Sequence, residues 1–158
     1  LTQMLMLKKN IEQAKKVMLS FYDQGNLRDE RQYHTFAEFF FTVGETRTAI
    51  KIYKDMIDLG FDSAVLYANR AEALHKNQNY EEAISSSRIA AQSQQAEYIL
   101  QLAEYLYASG DKDGALHVIE IGIAENNDSE SERLKIATEA VNLGFIDSVE
   151  SILGTQSK

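Results

Sequence analysis

Four segments of this chain repeat one another. Tyr33–Gly44, Tyr67–Gln78, Ile99–Gly110 and Arg133–Gly144 align so that Gly44, Gln78, Gly110 and Gly144 fall at one position, with separations of 34, 32 and 34 residues. Seven residues before that position stands Ala37, Ala71, Ala103 or Ala137, and five residues after it Ala49, Ala83, Ala115 or Val149. A period of this length fits two helices of about 12–14 residues joined by a tight turn. Small residues at matched places on both helices let the two backbones approach closely. Around them, Phe36, Phe40, Ile50 and Tyr53 fill the first unit. Leu74, Tyr80 and Ile84 fill the second, and Leu102, Leu106, Leu116 and Ile119 the third, at the three- and four-residue spacing of a helix.

The composition agrees with an all-helical chain. Its 158 residues contain no Pro, and Pro is the residue that most sharply ends a helix. There is also no Cys, which excludes a disulfide framework, a thiolate-held metal or cluster and a thiol nucleophile; reducing and oxidising compartments both tolerate such chains. No apolar run approaches the ~20 residues that cross a bilayer, so direct membrane insertion is not expected. The net charge of −8 is uneven: residues 1–95 carry 12 acidic and 12 basic side chains, and residues 96–158 carry 12 and 4. That sign opposes phosphate-backbone binding, which needs clustered Lys and Arg. No nucleic-acid partner is expected. An acidic surface serves solubility in any case.

The aligned residues resemble the tetratricopeptide repeat (TPR). Tyr33, Phe36-Ala37, Phe40, Gly44, Ala49 and Tyr53 carry the resemblance in one unit. Tyr67, Ala71, Leu74, Tyr80 and Ala83 carry it in the next, and Leu102-Ala103, Leu106, Gly110, Ala115 and Ile119 in a third. Ile136-Ala137, Gly144 and Val149 carry it more thinly, and the closing Pro of the family is missing from every unit. The resemblance implies an all-α fold, an α-solenoid of antiparallel helix pairs wound as a right-handed superhelix, with repeats over 30–63, 64–95 and 96–129. Residues 1–29 read as the tail of a preceding repeat, with a first helix cut to Leu1–Lys8 and a second beginning at Ala14; residues 130–158 read as a partial or capping repeat. All are expected in one continuous domain. With an opening Leu-Thr-Gln, the chain reads as a piece of a larger protein.

Local signals mark the element ends. Gly25 and Gly60 suit the left-handed residue after a helix, Ser63 and Asn79 suit N-caps, and Ser129 with Glu132 has capping-box spacing. A last helix is expected over 146–154, ending at Gly154.

By the same resemblance, the fifth, ninth and twelfth positions of each first helix line a concave groove. These counts give Glu38, Glu72 and Glu104 at the ninth position, and Phe41, His75 and Tyr107 at the twelfth. The fifth and sixth supply His34, Ala68, Asn69, Leu100 and Gln101, whereas Thr138 and Val141 break the pattern in the fourth unit. The implied binding set is Glu38, Phe41, Asn69, Glu72, His75, Gln101, Glu104 and Tyr107. A row of carboxylates beside a row of rings would take an extended protein or peptide segment carrying Lys or Arg between apolar anchors. The residues leave another reading open, in which each Glu bonds a neighbouring helix and the rings only pack between units.

Relatives that clamp a chaperone's terminal carboxylate use Lys, Arg and Asn in the groove. Here the matching positions hold His34, Glu38, Asn69, Glu97 and Gln101, or, one unit on, Ala68, Glu72, Gln101, Ser131 and Lys135. A carboxylate clamp is therefore not expected.

No catalytic or cofactor chemistry stands out. His34, His75 and His117 are separated by 41 and 42 residues, which forms no metal-ligand motif. Asp111 with Asp113, and Glu130 with Glu132, read as solvated helix starts. No phosphate-cradling Gly loop exists. Expected is a protein–protein interaction module with no cofactor and no enzymatic activity of its own. Two other roles stay open: a structural spacer or self-associating element that forms homo-oligomers through exposed repeat ends, and an accessory segment of an envelope-polysaccharide or glycosyltransferase machine.

Overall fold

The structure, a computed structural model, describes residues 2–126, 128–146, 148 and 149, with side chains from Lys8 onward. It is built from helices, and no strand occurs among the described residues. They are α1 (Thr2–Asp23), α2 (Glu30–Thr42), α3 (Thr46–Asp58), α4 (Ala64–Lys76), α5 (Tyr80–Ala91), α6 (Ala96–Ser109), α7 (Lys112–Glu125) and α8 (Glu130–Asn142). The chain folds as two compact units, Leu1–Asp62 and Ser63–Lys158.

In the first unit α2 packs antiparallel on α3. Ala37 and Ala49 are fully buried at their contact, with Phe40, Ile52, Tyr53 and Met56 around them. The break expected between Lys8 and Ala14 is not present: α1 runs through as one helix. No Gly or Pro interrupts residues 2–23, so nothing forces a turn there. Its C-terminal half is tied to α3, because the hydroxyl of the buried Tyr22 donates to the Asp55 carboxylate and accepts from Lys51 Nζ at 3.1 Å. Burial and the Asp55 carboxylate both push the Tyr22 phenol well above its ordinary range.

In the second unit each helix packs on the next from α4 to α8, and α6 also touches α4 and α8. The first helices of the pairs, α4, α6 and α8, thus form one layer and α5 and α7 a second. Ala71, Ala83, Ala103, Ala115 and Ala140 have no exposed surface, and Ala137 and Val149 almost none. Gly122 adds one more close approach: a Cβ there would lie 2.8 Å from Ile99 Cγ2 and 3.3 Å from Ile136 Cδ1. Tyr80, expected among the core residues, is instead half exposed, at 51%. It opens α5 and lines a cavity beside His75 and Tyr105.

The turn position behaves alike in every unit. Gly44, Gly110 and Gly144 have φ of +85°, +94° and +93°, and Gln78 adopts +66° without being glycine. Left-handed backbone here lets the next residue's N–H reach back to the helix, as in Asn79 N–H to Leu74 O at 2.9 Å and Asp111 N–H to Leu106 O at 3.0 Å. Gly25 and Gly60 are left-handed as expected, and Gln94 takes the same role after α5. Ser63 accepts from Leu66 N–H as a cap. Asn79 holds the N-cap position without a capping bond; its side chain bonds Asn77 and Glu82 instead. Only half of the capping box forms. Ser129 Oγ accepts from Glu132 N–H, while the Glu132 carboxylate turns to Ala96 N–H at 3.3 Å and Lys135 Nζ at 2.8 Å. Of the helix expected over 146–154, Ile146, Ser148 and Val149 are helical; the remainder, with Gly154, lies outside the described residues.

Candidate functional site: the α4, α6 and α8 face

Glu38 and Phe41 belong to the first unit, on α2, where Glu38 is exposed and Phe41 half-buried. The other six expected residues lie in the second unit, on α4 and α6. Glu72 and Glu104 are exposed, while Asn69, His75, Gln101 and Tyr107 are half-buried.

Their side chains divide into two groups. Gln101 serves the scaffold: its amide N–H donates to the Ala68 carbonyl at 3.1 Å, and its carbonyl accepts from the buried Ser87 hydroxyl at 3.2 Å. It therefore joins α6 to both α4 and α5. Tyr107 is edge-on to Phe145, with centroids 5.8 Å apart, and carries Lys112 Nζ 5.2 Å from its ring centre. Its ring is occupied in packing. The ring that meets His75 is Tyr105, stacked at 4.4 Å with planes 3° apart, and Tyr80 meets His75 edge-on at 5.1 Å.

The carboxylates share one electrostatic neighbourhood. Partial desolvation raises the Glu104 carboxyl above its ordinary range and the Glu139 carboxylate raises it further, against an opposing pull from His75. The Tyr105 phenol is pushed up to about 12, first by burial and then by the Glu72 carboxylate. Glu72 on α4 and Glu104 on α6 thus both act on Tyr105, and Glu139 on α8 acts on Glu104. Between α6 and α8 runs an open groove of about 620 Å3, lined by Leu100 and Leu134 together with Glu97, Lys135, Thr138 and Glu139. Leu134 is 64% exposed. It sits at the fifth position of its helix, as Leu100 does, and extending the count by one unit would have found it. Tyr105 and Glu139 lie outside the counted positions, and that count does not signal them.

No family model matches the sequence, and no curated protein does either. Solved structures do. A crystal structure of MamA superposes with a TM-score of 0.66 at 16% identity, over 92% of this chain and 86% of that one. PcrH in complex with the chaperone binding region of PopB gives 0.58 at 18%, over 71% and 96%. The TPR2B domain of yeast Sti1, in its complex with pHsp70, gives 0.56 at 22%, over 69% and 96%. The chain has the tetratricopeptide-repeat fold.

In TPR terms, α2, α4, α6 and α8 are the first helices of four pairs. The counted positions on α4 and α6 fall on the layer that carries Glu72 and Glu104. Among the described residues no group of three or more His, Asp or Glu could hold a metal ion, and no helix is long and apolar enough to cross a membrane.

Proposed function

We propose that this chain is a protein-interaction module whose α4, α6 and α8 face binds an extended partner segment bearing Lys or Arg between apolar anchors. The observation that carries the reading is the α6–α8 groove, where Leu100 and Leu134 stand beside the Glu97 and Glu139 carboxylates, with Glu139 also raising the Glu104 carboxyl. Two carboxylates that repel each other on a partly desolvated face are relieved by a cation, and the exposed leucines offer apolar area next to them. The carboxylates would set charge preference and association rate, and the leucines would set residence time. PcrH with the PopB region and Sti1 TPR2B with pHsp70 are neighbours of the same fold that hold partners, which supports a binding role for this one. A carboxylate clamp is not part of the proposal, because Gln101 is engaged with Ala68 and Ser87, and Lys135 with Glu132.

Fluorescence anisotropy with two labelled peptides, one alternating Lys and Leu and one alternating Glu and Leu, tests this. The Lys–Leu peptide binds, the Glu–Leu peptide does not, and the double variant Glu72→Lys, Glu104→Lys loses the former. Unchanged binding by that variant would remove the face from the proposal.

A further inference from the structure

A second cavity, of about 550 Å3, opens where α4, α5 and α6 meet. Its walls include His75, Tyr80, Tyr105, Glu81 and Ile84. The stacked His75–Tyr105 pair and the half-exposed Tyr80, inclined by 66° to His75, make an aromatic corner. Glu81 brings a carboxylate into the wall, and the Glu72 and Glu104 carboxylates both act on the Tyr105 phenol. Neither Lys nor Arg lines this cavity. The α6–α8 groove is different in kind: its apolar lining is aliphatic, and Lys135 also lines it.

Rings that border carboxylates favour one class of guest. A cation over a ring is attracted by the ring quadrupole, and a guanidinium adds planarity, weak hydration and a fork that fits a carboxylate. An ammonium keeps its water more tightly and has no flat face to lay on a ring. Ile84 offers apolar surface for a methylene stem. We propose that this cavity is a specificity pocket for an arginine side chain of the bound segment. The proposal rests on the interaction-module reading and names the residue that segment must present.

An NMR titration of the intact chain with Nα-acetyl-arginine amide tests the pocket without any peptide. The citrulline analogue, of the same shape without the charge, and the lysine analogue serve as comparisons. Resonances of Tyr80, Ile84 and Ser109 shift saturably with the arginine probe, the lysine probe binds about fivefold more weakly, and the citrulline probe shows no saturable shift. Tyr80→Ala and Glu81→Gln, both at exposed positions of the first turn of α5, each weaken the arginine probe about fivefold. Equal shifts from citrulline, or unaltered binding in both variants, would overturn the pocket. An arginine probe that binds this corner while the Lys–Leu peptide stays silent keeps the pocket and removes the groove; the converse removes the pocket alone.

Discussion

The imidazole of His75 lies flat against the ring of Tyr105, 4.4 Å between centroids and 3° from parallel, and so couples α4 to α6 across neighbouring repeats. A stacked pair at this spacing contributes about 0.5–1.5 kcal/mol beyond the area it buries. A double-mutant cycle of His75→Ala and Tyr105→Ala, read by urea unfolding, should return a coupling energy in that range. The same cycle with Tyr107→Ala in place of Tyr105→Ala should return close to zero, because Tyr107 packs on Phe145.

The alanine register predicts where bulk is refused. Ala71 and Ala103 have no exposed surface, so Ala71→Leu and Ala103→Leu should each cost about 1–3 kcal/mol through overpacking. Ala124 is exposed near the C-terminal end of α7, and Ala124→Leu should change stability by less than about 0.5 kcal/mol. Chemical denaturation of the three variants compares them directly.

Gln78 holds a left-handed conformation that its sister positions assign to glycine. Gln78→Gly relieves the side chain's steric cost while loosening the unfolded chain, and should stabilise by up to about 1 kcal/mol. Gly110→Ala is the mirror experiment. A Cβ at Gly110 meets nothing within 4 Å, so its cost of about 1–2 kcal/mol arises from backbone conformation alone. Opposite shifts in thermal midpoint are the expected result.

Glu104 gives a pH signature. Its carboxyl is raised in the fold by partial desolvation and by Glu139, so between the ordinary and the raised value the folded state binds more protons than the unfolded one. Stability therefore falls as pH rises through that window. Glu104→Gln should be more stable than the parent at neutral pH, and the advantage should vanish below the ordinary carboxylate range. Urea midpoints measured from acid to neutral pH give the comparison.

Much of this fold is legible in the sequence because it depends on residue size at fixed intervals. The buried alanines and the left-handed turns follow from the repeat alone, and even Gln78 is placed correctly by register in the absence of a glycine. What escapes is the choice between nearby rings. Tyr105 and Tyr107 are two residues apart, which on a helix is about 200° of rotation, and which of them meets His75 depends on how α4 and α6 lie together. Tyr80 escapes for a related reason: at the first turn of α5 it meets the His75 ring on α4 edge-on and stays half exposed. The Glu132 carboxylate was read as a cap for its own helix, yet a backbone N–H on α6 lies within its reach. Contacts between elements distant in sequence decide all three.

The central claim is that the α4, α6 and α8 face selects basic, apolar segments. Affinity selection of a random peptide library on the parent chain, followed by sequencing of the bound pool, addresses it most directly. The account predicts enrichment of Lys and Arg, with Arg ahead, at positions alternating with Leu, Ile or aromatic residues, and loss of that enrichment on the variant Glu72→Lys, Glu104→Lys. A pool enriched in Asp and Glu, or one of unchanged composition on the variant, would contradict it.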